Sequence, residues 1–322
     1  MAITDQSTLD AALAEHSLVG LWNVGRGTIP HEPSPQATAQ HWNWSDLERL
    51  LLDAGRVIPA AGPGSTRAVP VRAVCLRNDA LSHLATTDTL CACVQHIAPG
   101  EAPPPHRHTY QAIRFVLAGH GAQTSVDGDI IAMEPGDLIV TPGWSWHGHR
   151  NDSDEPAIWL DGVDLPLVLS LGVNFSEPAG DRDLPTRLTS EPMPAGLRAL
   201  TWNATGDRSS PLCRYAWAST ERALEQLAER ESVARVEFVN PKDGAPVATT
   251  FACEMIRLAP GVATPMWRET SSSIVQVFRG RGHATINGQS YEWNPVTCSR
   301  SRIGPITNSA LPPIQTSRRT YS

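Results

Sequence analysis

Short apolar segments separated by turn residues dominate the sequence from position 69 onward. The chain runs through VRAVCL, TLCACVQHI, AIRFVLAG, GAQTSV, DIIAM, LIVTP and AIWLDGVD, with turns such as DG and EPGD between them. Many short strands at regular spacing, joined by Gly, Pro and Asp turns, are typical of a β-sandwich or barrel. This pattern predicts a mainly β protein with a jelly-roll domain.

Helical patterns are confined to short stretches outside these segments. Residues 8–20 have a weak apolar stripe. Ser45 followed three residues later by Glu48 forms a capping box, which predicts a helix that starts at Ser45 and ends at Gly55. The stretch TERALEQLAERE predicts another helix near residues 220–231.

The second half of the chain repeats the first. APG aligns with APG, AIRFVLAGHG with SIVQVFRGRG, VDG with ING, and MEP with WNP. Such self-similarity indicates a duplicated domain, so we predict a second jelly roll. Trp267 and Glu269 stand where the first copy has His106 and His108, and the second copy is therefore expected to be structural or a partner surface.

The repeat stops after Pro295, where the sequence becomes rich in Ser, Arg and Thr. Codon choice permits a one-nucleotide insertion that turns this stretch into PGDVFAVPNW, which resembles PGDLIVTPGW of the first copy. We interpret residues 296–322 as an irregular, frame-shifted tail and the second jelly roll as incomplete; resequencing the gene tests this. The predicted division is 1–68 (N-terminal arm and helices), 69–175 (first jelly roll), 176–235 (linker and helix), 236–295 (incomplete second jelly roll) and 296–322 (tail).

Composition narrows the class of protein. A formal net charge of −7 and a pI near 5.9 argue against nucleic acid as the main partner. No apolar run approaches the ~18 residues of a membrane span, and MAITDQ does not resemble a signal peptide. A cytoplasmic enzyme is expected. The six cysteines lack C-x-x-C spacing and are expected to be free thiols, with Cys91 and Cys93 on one strand face lining a core or pocket.

Three histidines carry the strongest chemical signal. His106 and His108 are two residues apart, so on a strand both side chains leave from the same face. His147 follows the apolar run LIV about forty residues later. Three converging neutral imidazoles suit a divalent metal with open coordination positions. Because no carboxylate accompanies them, the metal would keep its 2+ charge and favour an anionic, chelating substrate.

The spacing H-R-H, then G-(x5)-P-G-(x3)-H-(x3)-N, resembles the two cupin motifs. The segments HWNWSDLERLLLDAGRVIP, HRHTYQAIRFVLAGHGAQTSVDG, PGDLIVTPGWSWHGHRND and WLDGVDLPL are similar to the gentisate 1,2-dioxygenase family. Its relatives include dioxygenases of salicylate, 5-nitrosalicylate and 1-hydroxy-2-naphthoate. The resemblance runs from about residue 20 to 295 and is most specific over 103–168. It implies a bicupin with an N-terminal helical arm, Fe(II) in the first cupin only, and a homotetramer.

The resemblance also implies residue roles. Iron ligation falls on His106, His108 and His147. The matching arginine, Arg114, is implied to meet the substrate carboxylate or bound oxygen, and its spacing of six from His108 is expected to put it on the same face. The remaining implied site residues are His149 (hydrogen bond to the phenolate, or acid/base), Asp161 (pairing with that histidine or with substrate), Gln95 and Arg72 (substrate pocket).

The implied reaction is Fe(II)-dependent ring cleavage, with O2 inserted between the carboxyl- and hydroxyl-bearing carbons of gentisate or a 5-substituted salicylate such as 5-nitrosalicylate. Gly148 in WHGHRN resembles salicylate-type members, since many gentisate enzymes have an aspartate between these histidines. The residues alone leave two alternatives open. One is a Zn or Mn isomerase or hydrolase on the same barrel, and the other is a non-catalytic bicupin that binds an aromatic acid.

Overall fold

The computed structural model describes residues 3–25, 27–58, 72–180 and 214–293. The chain divides into two compact units, residues 1–36 and 37–322. Several expectations lie outside the described residues: the 296–322 tail, the linker between 181 and 213, and the state of Cys213 and Cys298.

The N-terminal unit contains helix α1 (Gln6–Glu15) and a 3-10 turn (Leu21–Asn23). The weak helix expected over 8–20 therefore starts and ends earlier. The reason is a cap that the apolar pattern does not show: the Asp5 carboxylate accepts the Thr8 N–H at 2.8 Å.

Helix α2 (Trp44–Val57) begins one residue before the predicted start. Asn43, not Ser45, is its N-cap, because the Asn43 side chain accepts the Ser45 N–H at 2.9 Å. Gly55 lies inside the helix and does not end it. A Cβ at Gly55 would come within 2.8 Å of the His96 ring, so the missing side chain lets the helix pack closely on the neighbouring sheet.

Two antiparallel sheets form the centre of the larger unit. Their strands are β1 (Arg72–Cys75), β2 (Cys91–Ile97), β3 (His106–His108), β4 (Ala112–Ala118), β5 (Ala122–Val126), β6 (Asp129–Met133), β7 (Leu138–Thr141), β8 (His147–Asn151), β9 (Ala157–Val163), β10 (Ser176–Pro178) and β11 (Arg214–Tyr215). One sheet has the order β1-β2-β9-β4-β7-β11 and the other β10-β3-β8-β5-β6. The non-sequential neighbours are those of a jelly roll.

Alternation along the strands produces two separate cores. Side chains of both sheets fill the space between them, with the cluster Ile97, Val116, Ala122, Val126, Ile131, Met133, Ile139, Ala157 and Trp159. The outer face of the six-stranded sheet is also apolar. It is covered by Leu51 of α2 and by Phe238 and Val247 from the second half of the chain. This double burial explains why AIRFVLA and AIWLDGV read as almost continuous apolar runs.

The remaining elements are α3 (Leu165–Ser170), α4 (Trp217–Ala228), β12 (Val233–Phe238), β13 (Cys253–Leu258), β14 (Gly282–Ile286) and β15 (Gln289–Trp293). The helix expected near 220–231 is confirmed, three residues earlier. Strands β12 and β13 pair with each other, as do β14 and β15, in two separate two-stranded sheets.

The mainly β prediction is confirmed. Within the described ranges, no helix has the length and apolarity needed to cross a membrane. The predicted domain boundaries stay predictions.

Candidate active site

The two histidines of the H-x-H motif and His147 of the second motif lie close together between the two sheets. His106 pairs directly with His147 across β3 and β8, and His108 follows two residues later on the same face. The ring centroids lie 4.4 Å (His106–His147), 4.7 Å (His108–His147) and 5.7 Å (His106–His108) apart. One ring nitrogen from each lies within 4.8 Å of the others, so the group could hold one metal ion.

Backbone carbonyls orient two of these rings. The Nδ1–H of His108 donates to the Tyr110 carbonyl at 2.8 Å, and that of His147 donates to the Ser145 carbonyl at 3.0 Å. Both contacts place the proton on Nδ1 and leave the Nε2 lone pair available. The Nε2 of His147 is buried and has no hydrogen-bond partner among the described residues. A metal ligand is the role that satisfies such an atom.

The histidines are held neutral. Burial lowers the pKa of His106 to about 4 and of His108 to about 3, and it lowers the pKa of His147 well below 6.5. The Arg114 charge lowers all three further. Imidazole must be neutral to bind a metal, so the residues fit a divalent transition metal at neutral pH.

Arg114 and Asp161 lie on the inner face of the six-stranded sheet, opposite the three histidines. They lie directly opposite each other on β4 and β9, and the Arg114 Nε is 3.3 Å from the Asp161 Oδ1. Arg114 is only 2% exposed, and its Nη1 donates to the Thr141 hydroxyl. Arg114 was expected to share a face with His108. The structure instead puts them in opposite sheets, and they approach each other across the interior.

Neighbouring donors hold the Asp161 carboxylate. Gln95 Nε2 and Trp159 Nε1 both donate to its Oδ2, the latter at 3.2 Å. Burial raises the pKa of Asp161, and the Arg114 charge opposes this rise. Burial likewise lowers the pKa of Arg114. The pair is therefore a desolvated ion pair whose carboxylate is fixed from two sides.

His149 lies two residues beyond His147 on β8, and the two rings are 6.1 Å apart. It is buried against Trp159, with ring centroids 4.9 Å apart, and its Nδ1 has no partner among the described residues. Burial and then the Arg114 charge lower its pKa well below 6.5. The partners that the structure gives Asp161 are Gln95, Trp159 and Arg114, so the expected Asp161–His149 pair is not seen among the described contacts.

Arg72 lies away from the three histidines. Cys75, three residues further along β1, pairs with Cys93 on the inner face, and an odd offset turns Arg72 to the outer face. There its Nη1 donates to the Ile58 carbonyl at 3.2 Å, and its Nη2 binds Glu101. The expected role of Arg72 in the substrate pocket is not supported by this placement.

Two residues near the site were missed in the sequence. The Tyr110 ring stacks on His108 with centroids 3.6 Å apart, and burial raises the pKa of Tyr110 to about 12. Its position two residues after His108 was the available signal. Thr141 holds Arg114 from β7, and no local pattern indicates that contact.

The cysteines differ from the expectation of free thiols. Cys75 and Cys93 form a disulfide between β1 and β2, because strand pairing puts them directly opposite each other. Cys91 and Cys253 are free. Cys91 is buried with Ala112 on the inner face, as expected for a core or pocket wall.

The second copy of the repeat has different chemistry at the matching positions. Trp267 is 37% exposed, and exposed Glu269 accepts a hydrogen bond from the Ser273 hydroxyl at 2.8 Å. Within the described residues, the groups that could hold a metal are the three histidines and the cluster of Cys75, Cys91 and Cys93.

Comparison with known proteins agrees with this geometry. Residues 93–163 match the Cupin domain family model. The chain is 37% identical over 311 residues to a gentisate 1,2-dioxygenase of a Streptomyces species, covering 90% of this chain and 84% of that protein. It is 30% identical to a 5-aminosalicylate 1,2-dioxygenase of a Comamonas species, covering 91% and 79%.

A solved structure is similar over nearly the whole chain. It is a salicylate 1,2-dioxygenase from Pseudoaminobacter salicylatoxidans, studied as adducts with gentisate. It superposes with a TM-score of 0.70 at 32% identity, covering 92% of this chain and 84% of that one. The chain therefore belongs to the gentisate 1,2-dioxygenase family of ring-cleaving enzymes built on the cupin fold.

Proposed function

We propose that this enzyme is an Fe(II)-dependent dioxygenase that cleaves gentisate or a 5-substituted salicylate, such as 5-nitrosalicylate, between the carboxyl- and hydroxyl-bearing carbons. The observation that carries the proposal is the neutral three-histidine group facing the buried Arg114. Its relatives imply a metal-dependent reaction with O2 on small aromatic hydroxy acids.

His106, His108 and His147 would hold the metal. When bound, Fe(II) supplies open positions for an ortho-hydroxy acid and O2 and the electrons that O2 chemistry requires. The three residues contribute no negative charge, so the site keeps a strong attraction for a carboxylate and a phenolate. The carbonyls of Tyr110 and Ser145 fix two of the rings, which keeps the donor geometry ready before substrate arrives.

Arg114 would bind the carboxylate of the substrate or stabilise negative charge that develops on oxygen. Asp161 and Thr141 limit the guanidinium to one orientation, so little ordering remains when substrate binds. Because the wall is buried, an interaction with this charge is stronger than it would be in water.

His149 would accept a hydrogen bond from the phenol. Its pKa lies well below 6.5, so the ring is neutral at physiological pH and one nitrogen carries a lone pair. The buried Nδ1, which has no partner within the described residues, is available for this contact. Packing against Trp159 holds the ring in place.

The test loads metal-free protein anaerobically with Fe(II), Zn(II) or Mn(II) and then adds O2 and a substrate. The panel is gentisate, salicylate, 5-nitrosalicylate, 5-aminosalicylate and 1-hydroxy-2-naphthoate. Oxygen uptake with a new near-ultraviolet absorbance, seen only with Fe(II), is the expected result.

Two outcomes would contradict it. Turnover without oxygen uptake in the Zn or Mn form would indicate an isomerase or hydrolase. Binding of an aromatic acid without turnover in any metal form would indicate a non-catalytic bicupin. The ring substituent preference is given by the ratio of kcat/KM values across the panel.

We infer further that the enzyme is a cytoplasmic homotetramer with one metal per chain in the 69–175 domain. The inference rests on the sequence resemblance. Light scattering coupled to size exclusion, with metal analysis of the same peak, tests it.

A further inference from the structure

Three cysteines converge on the inner wall beside the candidate site. The Sγ atoms of Cys75, Cys91 and Cys93 lie within 4.8 Å of one another. Cys75 and Cys93 form the disulfide, and the free Cys91 Sγ is 3.9 Å from the Cys93 Sγ. A thiol at van der Waals distance from a disulfide sulfur is the starting arrangement for thiol–disulfide exchange.

Strand register connects this cluster to the candidate site. Cys75, Cys93, Asp161 and Arg114 lie directly opposite one another, in that order, on β1, β2, β9 and β4. Residues opposite each other in a sheet share a face, so the disulfide continues the row that contains the ion pair. Gln95, which donates to Asp161, is two residues from Cys93 on the same strand face.

The cluster also touches the wall around the metal ligands. Cys91 packs with Ala112 and Val163, and Tyr110 lies against this group while its ring stacks on His108. A change in the covalent state of the cysteines therefore changes the packing of a residue that contacts a metal-ligating histidine.

The three cysteines differ in solvent exposure. Cys75 and Cys93 are partly exposed, so a small reactant has better access to them than to Cys91, which is 1% exposed. Burial raises the pKa of the Cys91 thiol. Internal attack by Cys91 is consequently slow at neutral pH, and the cross-strand disulfide is not scrambled rapidly.

We propose that Cys75, Cys91 and Cys93 form a reversible thiol–disulfide site beside the buried Asp161–Arg114 pair, with low-molecular-weight thiols and disulfides as its reactants. In the internal step, the Cys91 thiolate attacks the Cys93 sulfur and forms a Cys91–Cys93 bond. The Cys75–Cys93 bond breaks, and Cys75 leaves as a thiolate that takes up the proton lost by Cys91. No net oxidation occurs.

The external step changes the redox state. Two molecules of a small thiol reduce the Cys75–Cys93 pair to two thiols and leave as one small disulfide, and the reverse reaction closes the pair. Disulfides in reducing compartments are usually transient or sensory. A switch is thus the role that suits this pair if the enzyme is cytoplasmic.

The first experiment maps thiols in folded, wild-type protein after treatment with a small disulfide. N-ethylmaleimide is added without reductant, and labelled peptides are quantified by mass spectrometry over time. We expect the Cys75–Cys93 cross-link at the start, and then slow labelling of Cys75 as Cys91 displaces it. Labelling of Cys75 should accelerate from about pH 7 to about pH 9, because the thiolate is the nucleophile.

Cys91→Ser is the decisive variant, and Cys253→Ser, which removes a free thiol outside the cluster, is its matched control. Cys75 labelling should fall at least about tenfold in Cys91→Ser and stay at the wild-type rate in Cys253→Ser. Equal Cys75 labelling in Cys91→Ser and wild type would overturn the internal step. Rapid labelling of all three cysteines after oxidation would overturn the disulfide site itself, and that result needs no variant.

The effect of the cysteine redox state on substrate binding rests on the proposed function and is measured separately. Reduction of the loaded enzyme with a small dithiol should change KM for the ortho-hydroxy acid more than kcat, and reoxidation should restore it. An unchanged KM with a correctly mapped disulfide would overturn the coupling between the cysteine redox state and substrate binding. Thiol mapping gives its answer even if none of the tested acids is a substrate.

Discussion

The two copies of the repeat share a sequence pattern but differ in what they build. In the first copy, β3 and β8 pair inside a complete sheet, and that pairing brings His106 against His147. In the second copy, the described strands form two separate pairs, and residues 263–281 between them have no strand. Trp267 and Glu269 lie in that irregular segment. A metal site of this kind requires two strands from distant parts of the chain, so a local motif is not sufficient.

The second copy instead supports the first. Phe278 packs edge-on against Phe115 of β4, with ring centroids 5.0 Å apart. The Thr250 hydroxyl donates to Asp164 at 2.5 Å, just beyond the end of β9. These contacts lie on or beside the two strands that carry Arg114 and Asp161. The described residues of the second copy therefore stabilise the sheet that carries Arg114 and Asp161.

The largest expected effect comes from truncating a side chain of the H-x-H motif, compared with a truncation in the matching segment of the second copy. His106→Ala should abolish metal retention and reduce turnover to that of metal-free protein, because two histidines cannot replace a three-ligand set. Glu269→Ala, two residues after the aligned Trp267, should retain one metal per chain. Metal analysis and oxygen uptake on both variants check this. Full turnover by His106→Ala would remove it from the ligand set.

Removal of the wall arginine should be the next largest effect. Arg114→Ala should lower kcat/KM by at least about thirtyfold, because truncating one member of a desolvated charge pair costs about 2–5 kcal/mol. Arg114→Lys should recover part of this loss, since it keeps the charge and loses the fork.

Arg235→Ala is the control in the second copy, where the arginine is exposed and pairs with Glu254. It should leave kcat/KM near the wild-type value. Steady-state kinetics with bound metal checked in each variant separate a catalytic effect from metal loss. Equal kinetics for Arg114→Ala and Arg235→Ala would exclude Arg114 from the site.

Acid should destabilise the metal-free protein through the first copy. The folded pKa values of His106 and His108, about 4 and about 3, lie below the ordinary value of 6.5. Between the folded and the ordinary pKa values, the unfolded chain therefore binds more protons than the folded protein does. The free energy of unfolding falls as pH drops from 6.5 toward 4. Each histidine contributes a slope of at most ~1.4 kcal/mol per pH unit.

Denaturant unfolding of metal-free protein across this pH range measures that slope. His106→Gln should reduce it, whereas His283→Gln should leave it unchanged because His283 is exposed on β14 of the second copy. The same slope in wild type and His106→Gln would contradict the assignment of a buried neutral imidazole.

The smallest effect should come from weakening the packing of the second copy on the six-stranded sheet. Phe278→Ala removes a partly buried ring and should lower the free energy of unfolding by about 1–3 kcal/mol while metal retention persists. Val275→Ala, at a 61% exposed position nearby, should change stability by less than about 0.5 kcal/mol. Loss of the metal in folded Phe278→Ala would show that the second copy does more than support the sheet.

Local patterns predicted the strands and the His106–His108 pair because both depend on near neighbours, whereas His147 was predicted from its place in the second cupin motif. Alternation located the strands, and the H-x-H spacing put two histidines on one face. Errors arose where position depends on pairing between distant strands. The Cys75–Cys93 disulfide and the outward turn of Arg72 follow from the β1–β2 register, and Thr141 reaches Arg114 from another strand. The alternation within one strand shows which of its side chains share a face, but it does not show which distant strand lies beside it.

Gly148 separates the two inner-facing histidines of β8, and its hydrogen faces the proline that precedes His106. A Cβ at Gly148 would lie 3.2 Å from the Pro105 Cγ, tighter than an ordinary contact. A larger residue there requires the Pro105 ring to shift by a few tenths of an ångström, directly before His106. Gly148 and Pro105 are therefore coupled positions. A variant with a side chain at residue 148 should therefore be more stable when Pro105 is replaced by a smaller residue as well.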